Sequence, residues 1–126
     1  EINKAAKSAA LHMGMEHLTA LGSNPEFDRS YGAPMLIFVC GKVDAVASKL
    51  DCAAATENTL IAAESLGLTT CWVHFPLSSW YGTNKDEIAD KLQIPHGYEA
   101  YTCFALGYDG GYEPGNKSKG TFNIIG

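Results

Sequence analysis

The chain has 126 residues, 46% of them apolar and 18% charged, enough for one hydrophobic core and too apolar for a solvated, disordered segment. Its net charge of -5, with nine Lys and Arg scattered along the chain, leaves no basic stripe for a nucleic acid or an anionic membrane. No apolar run approaches the roughly 18 to 20 residues that span a bilayer, and no signal-like segment opens the chain, so the expectation is a single soluble, cytoplasmic domain over residues 1–126.

In chain order, Ile2, Ala5, Ala6, Ala9, Ala10, Met13, Leu18 and Leu21 recur at helical spacing, with Lys4 and Lys7 on the other side. They predict one amphipathic helix over 2–21. It has no N-cap signal and starts at Glu1, which reads as a cut through something longer. Gly22-Ser23-Asn24-Pro25 breaks the helix and a polar loop follows to Gly32. Met35 to Cys40 is an unbroken apolar run ended by Gly41, which suits a central strand covered on both faces.

A second helix is predicted over 50–66, with Gly67 as its C-cap. Its polar residues gather on no single stripe, and Ala53, Ala54, Ala55, Ala62 and Ala63 allow close approach from more than one side, a second subunit included. Residues 68–73 read as a short strand and 76–82 as a loop. Asn84 with Glu87 gives a capping-box start to a helix reaching Leu92. Residues 100–108 read as another buried strand. The Gly-rich tail is irregular until Thr121 to Ile125, an edge-strand candidate.

Chemistry-bearing motifs are few. Neither GxGxxG, a P-loop, GxSxG nor HExxH occurs. Cys40, Cys52, Cys71 and Cys103 lie in apolar surroundings without a CxxC spacing, so four buried reduced thiols are expected and no zinc site. His12 and His17 are five apart and cannot share a ligand from one helix face. Asn116-Lys117-Ser118 spells a glycosylation sequon with no secretory context to use it. His74 ends a strand beside Trp72 and ahead of Phe75 and Pro76, a place where binding groups collect and where a lone imidazole is also often only packed. Lys117 and Lys119 are read either as a solvated pair or as a phosphate-holding loop.

The ordered runs YGAPMLIFVCG, DCAAATENTLIAAESLGLTTCWVH, LQIPHGY and FALGY together resemble the nitroreductase family of flavin oxidoreductases over nearly the whole chain. The resemblance implies an α+β, three-layer fold with a central mixed or antiparallel sheet flanked by helices, here truncated at the N-terminus. It implies an interlocked homodimer with FMN at the interface and the helix over 50–66 in the dimer core. Trp72, Val73, His74 and Phe75 would pass along the isoalloxazine ring, a backbone N–H there reaching flavin N5, while His74 and Phe75 adjust the room above the ring. Lys117 and Lys119 would meet the FMN phosphate, with Lys at the second position where relatives carry Arg, a point charge for a bidentate guanidinium. The Arg-rich start and the Asn/Gln-bearing segment of relatives have no counterpart, so the chain matches a C-terminal portion.

Two functions follow. The first is an FMN-dependent oxidoreductase that takes hydride from NAD(P)H and reduces nitroaromatics, quinones or similar acceptors, the cofactor carrying the chemistry and no side chain acting as general acid. The second is a shortened, non-catalytic dimerisation or ligand-binding module with weak or no flavin binding.

Overall fold

The computed structural model describes residues 2–28, 30–81 and 85–111. The chain opens with α1 (Ile2–His12) and α2 (Glu16–Ser23), two helices where the spacing predicts one. The break is at Gly14, whose φ of 68° lies in the left-handed region that glycine enters without steric penalty. The pair closes tightly, because a Cβ at Gly22 would stand 2.9 Å from the Lys7 carbonyl. Lys7 is more than a solvated charge: its Nζ donates to the carbonyls of Asn24 (2.7 Å) and Pro25 (3.1 Å), tying α1 to the turn that follows α2.

Among the described residues three antiparallel strands follow: β1 (Met35–Lys42), β2 (Leu68–Trp72) and β3 (Tyr98–Tyr108), in the order β1-β3-β2. The central position expected of β1 therefore belongs to β3. Thr102, Cys103, Phe104 and Ala105 are buried in β3, whereas Leu36 to Gly41 of β1 are only half-buried. An apolar run reports burial, but strand order is a property of the whole sheet. Val39 lies opposite Thr102 and Cys40 opposite Ala100, so Tyr101 is the extra residue of a β-bulge that bends the central strand.

Helices cover both faces. Helix α3 (Ser48–Ser65) lies on one face and turns inward Ser48, Cys52, Thr56 and Ala63. Thr56 donates its hydroxyl proton to the Cys52 carbonyl (2.8 Å) and meets the Thr102 hydroxyl at 2.5 Å, so Thr102 supplies the second proton and neither buried oxygen is left without a partner. The Ser48 hydroxyl donates to the Lys42 carbonyl. Gly41 sits under the start of α3, where a Cβ would fall 3.0 Å from both Cys52 Sγ and Ser48 Cβ.

On the opposite face Val73, Leu77, Trp80, Ile88, Ala100 and Cys103 form the main core. The stretch expected to be a loop there is a 3-10 helix, Phe75–Tyr81. Ser78 and Ser79 turn their hydroxyls onto the carbonyls of Phe75 (2.6 Å) and Pro76 (2.7 Å), closing the tight turns from within. Helix α4 (Lys85–Lys91) inserts Ile88, and Lys85 pairs with Glu99 of β3. A smaller cluster joins Ala6, Ala10 and Phe75, with Leu18, Leu21 and Phe27 against it. Asn84, the expected cap of α4, and the edge strand expected over Thr121 to Ile125 lie outside the described residues.

Replacing Gly41 by Ala forces a methyl into the α3 contact and should lower stability by about 1–3 kcal/mol, read from the urea midpoint at unchanged slope. Gly110, around which nothing lies within 4 Å, is the control, and its Ala variant should stay within about 0.5 kcal/mol of the parent.

Candidate functional site

The site is built by the way α3 stops. Gly67, at φ 72°, donates to the Glu64 carbonyl while Leu66 donates to that of Ala63, both at 3.0 Å. This is the left-handed closure anticipated from the sequence, and it sends the chain back as β2. The β2–β3 ladder runs from Leu68 opposite Tyr108 to Trp72 opposite Phe104 and takes one further bond, Val73 N–H to the Cys103 carbonyl at 2.9 Å. There the pairing ends.

Residues on either side of position 74 are anchored in different cores. Val73 is buried in the main core and Phe75 in the smaller one, where Phe75 meets the edge of Phe27 at 5.1 Å and 80°. His74 lies between them, exposed. Its carbonyl accepts from Leu77 N–H at 3.0 Å, and its ring leans on Trp72 with centroids 6.1 Å apart and planes inclined by 34°. Among the described residues no carbonyl takes the amides of His74 or Phe75, and Trp72 Nε1 is buried without a partner. The two amides are main-chain donors left for a ligand's acceptor atoms beside flat rings, whereas the indole N–H is shut away from any ligand.

Of the residues singled out from the sequence, Trp72, Val73, His74 and Phe75 thus form one turn between two cores. Phe75 presents backbone there, since its side chain is spent on packing. Lys117 and Lys119 lie outside the described residues. Among the described residues no group of three His, Cys, Asp or Glu is placed to hold a metal ion.

A crevice of about 320 Å³ was not evident from the sequence. Tyr31, Pro34, Cys71, Gly107 and Tyr108 are among its walls. Asp28 shapes it by accepting from the amides of Ser30 (3.2 Å) and Gly32 (3.1 Å), which holds Tyr31 at φ 54°. The Asp-x-Ser pattern of an Asx turn is the one local signal for this loop.

A family model described as the nitroreductase family matches residues 2–108. A nitroreductase with bound FMN from Bacteroides fragilis is 29% identical, with a TM-score of 0.85 over 98% of this chain and 68% of its own. Two others share the fold at lower identity. A nitroreductase with bound FMN from Desulfitobacterium hafniense is 21% identical (TM-score 0.72, 94% of this chain and 66% of its own). An FMN-dependent nitroreductase from Clostridium difficile is 17% identical (TM-score 0.71, 98% and 73%). The chain therefore spans about two thirds of the first two. No curated protein matches it.

The thiols divide differently from expectation. Cys52 and Cys103 are buried, Cys40 is half-buried and Cys71 is exposed, because β2 lies at the sheet edge and alternate residues turn to solvent. Burial pushes the Cys40 thiol up, with Cys52 adding to it, and burial with the Asp51 carboxylate does the same for Cys52. Both raised groups keep their protons in the folded chain when the unfolded chain has begun to lose them. Their stability contribution is full below the unfolded thiol value of about 8.5 and is lost as pH rises through the folded values. Urea midpoints should accordingly fall above that pH, and less so in the Cys40→Ser variant. Iodoacetamide at neutral pH should label Cys71 well before Cys52 or Cys103, as read by peptide mass mapping.

Proposed function

The chain belongs to the nitroreductase family, and from that premise we propose that it acts as an FMN-dependent oxidoreductase, drawing on NAD(P)H to reduce nitroaromatics, quinones or related acceptors, as a cytoplasmic homodimer. The observation that carries this is the main-chain amide of His74, without a carbonyl partner among the described residues, held where the β2–β3 ladder ends between two buried anchors. Support comes also from the FMN bound in the Bacteroides fragilis relative. FMN in this place would supply two-electron hydride transfer between a nicotinamide and the acceptor.

The chain's own residues bind and orient. Trp72 and His74 offer flat surfaces, the amides of His74 and Phe75 offer donors, and Val73 and Phe75 fix the turn so that these donors need no reorganisation on binding. Lys117 and Lys119 would hold the phosphate as point charges. No proton transfer by a side chain is required. The whole chain would work as one domain.

The outer side of α3 favours the homodimer. Leu50 and Ile61 are 74% and 62% exposed on a helix whose inward residues are small or polar, an inversion that leaves apolar area for a second copy to cover. No helix among the described residues is long and apolar enough to cross a membrane. The non-catalytic alternative draws on one observation: the chain spans only 68% of the FMN-bound relative's length.

Titrating the purified chain with FMN should give a yellow, flavin-loaded protein with quenched tryptophan emission. A chain that stays colourless sinks the oxidoreductase reading in favour of the non-catalytic one. Lys117→Ala and Lys119→Ala should each weaken FMN binding by about tenfold, the scale of one charge-assisted hydrogen bond. Ile61→Glu should shift the sedimentation of a dimer towards that of a monomer.

A further inference from the structure

Resting on the cofactor reading above, we propose that His74 selects the electron acceptor by charge, favouring flat aromatic acceptors that carry a carboxylate over neutral ones of the same shape.

Three observations lead there. Of the side chains at 73, 74 and 75, the first and third are buried and only the imidazole stands at the surface. Among the described residues no hydrogen bond engages either ring nitrogen of His74, whereas His12 spends its Nδ1 on the Ser8 carbonyl at 2.8 Å. The His74 ring therefore keeps its full capacity to donate to a ligand oxygen. Its neighbourhood in the chain is also devoid of competing charge, because no Asp, Glu, Lys or Arg occurs between Glu64 and Lys85. On a protein of net charge -5, a carboxylate needs a specific donor to be held against the general repulsion.

Trp72 supplies the shape element. Its ring flanks that of His74, centroids 6.1 Å apart and planes inclined by 34°, so the imidazole stands beside a flat apolar surface. An aromatic acceptor that reaches this edge of the site can turn its carboxylate oxygen to accept from the imidazole. A donor placed at one edge of an apolar surface discriminates strongly, since an acceptor without the matching oxygen leaves the donor unpaired when it is covered.

The test compares 4-nitrobenzoate with 4-nitrobenzyl alcohol, acceptors of similar size and different charge, on the FMN-loaded full chain. The ratio of their kcat/KM values should fall by about tenfold in His74→Leu, the worth of one hydrogen bond to a charged group. The fall should come through KM for the benzoate, and His74→Gln, which keeps a donor, should recover part of it. Independently of turnover, unsubstituted benzoate should move the imidazole ¹H and ¹⁵N resonances of His74 in the parent. An unchanged ratio, or benzoate that leaves those resonances in place, overturns the proposal while flavin uptake still supports the function above. A chain that takes up no FMN overturns both.

Discussion

Helix α3 meets the sheet through Ser48, Cys52, Thr56 and Ala63, side chains too short to hold helix and strands apart, and Gly41 offers no methyl where the two are nearest. Each short residue buries little apolar area, so the contact depends on nearness and on satisfied hydroxyls more than on hydrophobic transfer at about 25 cal/mol per Å². The Thr56–Thr102 pair shows the requirement plainly, with two buried oxygens completing each other and the Cys52 carbonyl. From this docking the rest follows in order. The helix must end at Gly67, β2 must return beside β3, and the turn after Trp72 must emerge where the ladder runs out.

That chain of consequences explains why the site proposed for the flavin would be made largely of backbone. A side chain aimed at a ligand needs a rotamer locked by neighbours, whereas an amide at the end of a ladder is already fixed by the strand behind it. Val73 is held by its bond to Cys103 and Phe75 by the edge of Phe27. The amide between them therefore points in a direction set by two cores at once. A cofactor that performs its own redox chemistry asks for little more than such placement.

How much of this could be read in the sequence depended on how local each signal is. The apolar runs of β1 and β3, the alanine-rich α3 and the closing Gly67 are written within a few residues, and all were legible. Gly14 sits inside a pattern whose spacing continues across it, so two helices read as one. The 3-10 helix was hidden because Pro76, Ser78 and Ser79 spell a loop by composition, and only burial under α1 turns the serine hydroxyls inward. Strand order is not local at all, which is why the most apolar run lies at an edge. The candidate site was legible mainly through the family resemblance. That Phe75 is packed away depends on Phe27, far off in the chain, a contact no window of sequence displays. The crevice beside Tyr31 is likewise assembled from three separate segments.

Positions 73 to 75 carry opposite demands in immediate succession. Exchanging either flanking residue would disturb a core, yet the imidazole between them takes part in neither. A lineage can therefore try many side chains at this one point without first acquiring compensating substitutions elsewhere. On the role proposed for His74, drift in acceptor preference would be uncoupled from the maintenance of the scaffold and could proceed by single steps.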